Sequence, residues 1–335
     1  MLNQKSLLNR TLVGAAIFLC MLAMILLDVY LPASALKDTA FHFVSGRAIN
    51  SFIISAIILL AVVEMRRALG TERIPDCFSW LLWMYGFGLG MSYSLFGYTG
   101  IVFITMLVFI AAAVTALVKN CPQSLIYIAF MLVYPGMFLA SLLYINRSAT
   151  TQFIAPDSPL MQFVERDIWT YLSEHRSTYL LPTNAVGLAF VFAVSSFTDV
   201  FAYFVGSLFG KHKLCPEISP KKTVEGAVGG IVGGVVGSFI VYLLFEVFAV
   251  FGAEHGLSFD ELHLSRAKVV IIYIIIGLLG SVATQVGDLL ASQVKRYCGI
   301  KDYSRILGEH GGIMDRFDGI MMNSVLVATV FMFVL

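Results

Sequence analysis

Of 335 residues, 59% are hydrophobic and only 13% charged, against about 25% charged in soluble domains. The 22 basic and 21 acidic side chains nearly cancel to a formal net charge of +1, and mean hydropathy is +0.86. So much apolar surface excludes a soluble two-domain protein, and near-neutrality excludes a basic nucleic-acid binder.

Uncharged runs of bilayer length predict an all-α, polytopic membrane protein with about nine spans. In chain order they lie near 11–31, 48–65, 77–97, 101–118, 123–145, 184–208, 226–250, 268–290 and 318–335. The first run is long for a signal-peptide core and lacks a small-residue cleavage site, so it reads as a retained helix. The third and fourth come from one uncharged stretch, Cys77–Val118, which the turn-prone Tyr98-Thr99-Gly100 divides. Between the fifth and sixth, residues 147–183 form the largest loop, with Leu160–His175 as an amphipathic interfacial helix. Gly229-Gly230, Gly233-Gly234 and Gly237 line the seventh span, which predicts close helix packing and permits a homodimer. The five cysteines include no C-x-x-C pair, which indicates neither a disulfide framework nor a zinc site.

Basic residues set the orientation. With the N-terminus inside, most of the 22 fall on the cytoplasmic side, among them Lys5, Arg66, Arg67, Lys119, Lys221, Lys222, Lys295, Arg296, Lys301 and Arg316. Lys37, Arg47, Arg147, Arg166, Arg176, Arg266 and Lys268 fall outside. The expectation is a multi-pass protein of the cell (inner) membrane, N-in and C-out. Its N-terminal helices and outside loop, 1–180, precede a C-terminal catalytic region, 181–335.

Two inside segments, Asp199–Gly226 and Gly287–Asp318, are far more polar than loop connections require. Interleaved carboxylates and cations suit a phosphate-and-metal centre. Mg²⁺ needs only a few carboxylates plus substrate phosphates, and Lys and Arg neutralise the remaining phosphate charge. Asp315 and Asp318 share one helix face and, with Asp288, can converge on a cation; alternatively they only favour the helix dipole. His310-Gly311-Gly312 precedes them, with glycines that allow close approach of a phosphate. Asp199 lies in an otherwise apolar span, where an ionisable group is costly. Asp28, Glu64 and Glu246 lie near span ends and are expected to reach the interface.

The second segment resembles the signature of the phosphatidate cytidylyltransferase (CDP-diacylglycerol synthase) family. Gly287-Asp288, Ser292, Lys295-Arg296, Lys301-Asp302, His310-Gly311-Gly312 and Asp315-Arg316-Phe317-Asp318 follow its pattern. The first segment is similar too, through Asp199, Ala202-Tyr203, Gly206, Phe209-Gly210-Lys211, Ser219-Pro220-Lys221-Lys222-Thr223 and Glu225-Gly226. It departs at Ser207-Leu208, where many relatives carry a basic residue. The clear resemblance covers about 185–335; earlier residues are similar only in hydrophobic profile.

The resemblance implies that CTP and phosphatidate give CDP-diacylglycerol and pyrophosphate, with Mg²⁺ and a monovalent cation such as K⁺. It implies Asp288, Asp315 and Asp318 as metal ligands or their close neighbours, with Ser292 nearby. Lys295, Arg296, Lys301 and Arg316 would hold phosphates, helped by Lys221 and Lys222 from the other loop. Asp199 would orient that loop, His310 would contact phosphate or handle a proton, and Ser219, Asp302, Gly311 and Gly312 would support the site. Two alternatives remain. A CDP-alcohol phosphotransferase needs D-G-x₂-A-R, of which only Asp318-Gly319 is present. A carboxylate-coupled transporter would show an internal repeat, and none is obvious.

Overall fold

The computed structural model describes residues 4–30, 46–146, 184–251, 257, 265–308 and 311–333. The expected helix Leu160–His175, the side chain of Asp28 and the candidate His310 lie outside the described residues. The elements are α1 (Gln4–Tyr30), α2 (Gly46–Leu69), α3 (Ser79–Val118), α4 (Ser124–Met131), α5 (Phe138–Ile145), α6 (Asn184–Phe209), β1 (Lys213–Cys215), β2 (Ser219–Thr223), α7 (Val224–Tyr242), α8 (Arg266–Tyr297) and α9 (Met314–Phe333). The described residues are therefore all-α apart from one antiparallel ribbon, β1–β2, with Lys213 opposite Thr223 and Cys215 opposite Ser219. That ribbon stands where the sequence suggested only a loop, because its strands are too short to carry an alternating pattern and Pro220 interrupts one of them.

Five described helical stretches are long and apolar enough to cross a bilayer: Thr99–Val118, Ser124–Ile145, Ala185–Phe209, Val224–Val247 and Arg266–Tyr297. Thr99–Val118 has mean hydropathy 2.8 yet is only 22% buried, so its apolar side chains face outward, as lipid contact requires. The break in α3 falls at Gly97 (φ 60°, ψ −143°), one residue ahead of the expected Tyr98-Thr99-Gly100 turn. Glycine alone takes that backbone geometry readily.

All five glycines of the small-residue stripe are buried within the chain. Side chains added at Gly229 or Gly237 would meet α6, and at Gly230 or Gly234 would meet Gln285 and Ser281 of α8. The stripe is thus consumed in packing α7 between α6 and α8, and offers no face to a second copy. Polar cross-links join the helices, as is usual where lipid offers no partner. Asn323 Nδ2 donates to Val191 O and to Ser195 Oγ, both at 3.1 Å, and Ser141 Oγ donates to Ser324 Oγ at 2.7 Å.

Glu64 corrects the expectation that it reaches the interface: it is wholly buried. Glu246 is partly buried and accepts hydrogen bonds from Tyr273 Oη at 3.0 Å and Leu257 N at 2.5 Å.

Candidate active site

At about 1.5 Å per residue, the 32-residue α8 is about 48 Å long, well beyond the roughly 30 Å hydrocarbon core. Its final turns therefore carry the charged residues as helix, not as the loop expected after residue 290. Asp288, Ser292 and Lys295 are spaced four and three apart and share one face. Ser292 Oγ contacts Asp288 Oδ1 at 3.5 Å. Asp288 Oδ2 pairs with Lys222 Nζ at 2.6 Å, which joins the ribbon to α8. Arg296 strengthens this joint by donating from Nε to Ile218 O at 3.2 Å.

Strand alternation separates the two ribbon lysines. Lys222 is half-buried against Asp288, and its neighbour Lys221 is exposed. The ribbon is fixed at its base. Thr223 Oγ1 caps α7 by accepting from Gly226 N at 3.1 Å, while Glu225 accepts from Lys211 N at 3.0 Å and pairs with His212 Nδ1 at 2.6 Å. Ser219 is half-buried in this ribbon, opposite Cys215.

Asp315 and Asp318 share a helix but differ in their contacts. Asp315 Oδ1 pairs with Lys295 Nζ at 2.7 Å, with side-chain exposures of 6% and 14%. Its Oδ2 accepts from Tyr303 N at 2.8 Å and Gly312 N at 3.0 Å. A carboxylate so occupied is a structural clasp that ties α8, the link after it and the start of α9 together. Lys295 also lies 5.6 Å from the Tyr303 ring centroid. Burial pushes the Tyr303 phenol up, keeping it protonated to donate to Ala291 O at 3.2 Å.

Asp318 makes different contacts, although it too lies in electrostatic range of Lys295. It takes the amide of Gly319 at 2.8 Å and lies in electrostatic range of Asp288 and Asp199. Asp199 is in range of Asp288, Lys222 and Arg316. Asp199 is exposed on α6. Among the described residues no three His, Cys, Asp or Glu side chains stand close enough to hold a metal by themselves. Asp199, Asp288 and Asp318 do fit Mg²⁺ by donor chemistry, since this ion takes few protein oxygens and completes its shell with water and phosphates.

The paired glycines approach carboxylates. A Cβ on Gly311 (φ 78°) would stand 2.6 Å from Asp315 Oδ2, and one on Gly312 2.5 Å from Glu64 Oε1. Lys301 and Asp302 are exposed on the link between α8 and α9, and Arg316 is exposed in the first turn of α9.

Sequence reasoning missed two residues. Glu64 accepts from Ser304 Oγ at 2.6 Å, Ile313 N at 3.0 Å and Met314 N at 2.8 Å, so α2 supplies the cap of α9. Tyr134 sits where Pro135 forces a break after α4 (φ −123°, ψ 110° at Tyr134). Its side chain is buried, its hydroxyl has no hydrogen-bond partner among the described residues, and it lies in electrostatic range of Asp288, Asp315 and Asp318. The X-Pro break was a usable signal for Tyr134; nothing in the sequence pointed to Glu64's partners.

Residues 33–334 match the cytidylyltransferase family. The chain is similar to a phosphatidate cytidylyltransferase of Staphylococcus epidermidis, 37% identical over 159 residues, 45% of this chain and 54% of that protein. The Staphylococcus saprophyticus phosphatidate cytidylyltransferase is 44% identical over 146 residues, 43% of this chain and 49% of that one. That of Mycobacterium bovis is 37% identical over 145 residues, 43% and 41% of the two chains. The chain spans about half the length of the curated relatives it matches. The family match also reaches back to residue 33, which brings in α2 to α5, expected to be similar only in hydrophobic profile, and leaves α1 outside. With its membrane helices and its two charged segments inside that span, the chain belongs to the cytidylyltransferase family.

Proposed function

We propose that the protein is a phosphatidate cytidylyltransferase that joins CTP and phosphatidate into CDP-diacylglycerol and pyrophosphate. One observation carries the reading. In a chain of this family, the two charged segments meet at the Lys222–Asp288 pair, with Asp199, Asp318 and Arg316 in electrostatic range of its members or of one another. The reading takes the space among them as the substrate cleft.

The lipid phosphate oxygen attacks the α-phosphorus of CTP, the bond from that phosphorus to the β-bridging oxygen breaks, and pyrophosphate leaves with the electron pair. Little covalent chemistry falls to the protein, which positions groups and stabilises phosphate charge. Lys222 and Arg316 supply that charge within the cleft, with Arg296, Lys301 and Lys221 at its rim. Lys295, held by Asp315, is a fixed cation behind them. Mg²⁺, held by Asp288 and Asp318 with Asp199 beside them, would neutralise triphosphate oxygens. Tyr134 offers a phenolic donor on the buried side. Solubilised protein given CTP, phosphatidate and Mg²⁺ should release pyrophosphate in step with CDP-lipid, and no release would remove the reading.

The same reading has about nine spans crossing the inner membrane, N-in and C-out, with the cleft on the cytoplasmic side where CTP is found. The clustering of cations around the cleft supports this side. With the native cysteines replaced, Lys221→Cys should react with an impermeant reagent from the cytoplasmic side alone; labelling from outside would invert the topology.

A further inference from the structure

Beside the carboxylate cleft, an apolar cavity of about 260 Å³ runs between α1, α2, α6 and α9. Cys20 and Met21 of α1 and Phe52, Ala56 and Leu60 of α2 line it, and among the described residues Arg316 is the one charged residue on its wall. The α2 wall from Phe52 to Leu60 covers about 12 Å of axis at about 1.5 Å per residue. Cys20, Phe52 and Ala56 are exposed, so the cavity opens sideways on the surface of apolar helices.

These features select an occupant. A nucleotide would lose its hydrogen bonds on such a wall, because burying polar groups without partners is costly. The volume also falls below the roughly 300–1,000 Å³ of pockets that enclose whole small molecules. A slot with apolar walls and one guanidinium matches a lipid chain attached to an anionic headgroup. Arg316 belongs at once to this wall and to the electrostatic surroundings of Asp199. A chain in the slot therefore leads its phosphate toward the cleft.

We propose that this groove seats one acyl chain of the phosphatidate substrate, with Arg316 on the lipid phosphate, so that α1 and α2 form the lipid side of the active centre. This rests on the cytidylyltransferase reading above.

The test uses the unmodified full chain in lipid nanodiscs with a phosphatidate that carries a photoreactive diazirine midway along one acyl chain. Peptide mapping should place adducts within 17–24 and 52–60, and a tenfold excess of plain phosphatidate should displace them while phosphatidylcholine does not. Adducts confined to other helices, or displaced equally by phosphatidylcholine, would overturn the proposal. Ala56→Trp, which fills the groove from an exposed position, should raise KM for long-chain phosphatidate about tenfold, some 1.4 kcal/mol. KM for CTP and turnover of a short-chain phosphatidate should stay within about twofold of the unmodified enzyme. An unchanged long-chain KM would also overturn it, and if Ala56→Trp does not fold, the crosslink map decides. CDP-lipid formation is measured in the same unmodified sample. Specific groove adducts without product would leave the groove standing as a phosphatidate site and remove the cytidylyltransferase reading.

Discussion

Glu64 in α2 accepts a hydrogen bond from the backbone amide of Met314 at 2.8 Å, 250 residues further along the chain. The same carboxylate takes the amide of Ile313 and the hydroxyl of Ser304. A negative charge at the start of α9 satisfies amides that no residue within the helix can reach, and it complements the helix dipole. The N-terminal helices thereby hold in register the helix that carries Asp315, Arg316 and Asp318.

Glu64→Ala strands these buried donors, at about 1–3 kcal/mol for each unsatisfied group. The melting temperature in detergent should fall clearly, with CTP turnover falling alongside. Glu64→Gln keeps one acceptor and should lie between the two. Equal melting temperatures for all three proteins would show that the cap contributes nothing.

Asp315 and Asp318 should separate on mutation. Removing one partner of a buried ion pair costs about 3–5 kcal/mol, so Asp315→Asn should lose both stability and activity. Asp318→Asn removes a carboxylate that stands near other carboxylates, and should keep the melting temperature while abolishing turnover. Thermal unfolding and turnover measured on both variants check this. Similar behaviour of the two would contradict the split between clasp and cleft.

Tyr134→Phe deletes a buried hydroxyl that has no partner among the described residues. No hydrogen bond is abandoned, so stability should hold or rise slightly. If the hydroxyl meets substrate, kcat/KM should fall about tenfold, near 1.4 kcal/mol. Undiminished kcat/KM would remove Tyr134 from the site.

Lys222 and Lys221 test strand alternation. Lys222→Met should reduce kcat/KM by at least about tenfold, some 1.4 kcal/mol, with KM for CTP rising. Lys221→Met, at an exposed rim position, should cost at most about threefold, or some 0.6 kcal/mol. The reverse ranking would show that the ribbon presents its other face.

Much of this arrangement was legible in the sequence. Uncharged runs placed the described helices within eight residues at each end, since lipid demands long apolar segments whatever the tertiary packing. The cations and carboxylates of the two charged segments marked the candidate site because charge is denser there than in the rest of the chain. What was not legible depends on direction in space. Spacing put Asp315 and Asp318 on one face, but only the packed structure turns Asp315 toward Lys295, Tyr303 and Gly312. Likewise Glu64 read as an ordinary helix-end carboxylate, because its partners lie 240 to 250 residues away. The β1–β2 ribbon escaped notice because two strands of three and five residues, one holding Pro220, leave no periodic trace.

Cytidylyl transfer to a lipid phosphate is the central claim, and positional labelling of CTP tests it most directly. Purified protein with Mg²⁺ and phosphatidate is given CTP labelled with ³²P at either the α or the γ position, and the lipid extract is counted. The account predicts that α-label enters the lipid fraction as CDP-diacylglycerol while γ-label leaves entirely as pyrophosphate. Lipid carrying γ-label, or no label from either position, would contradict it.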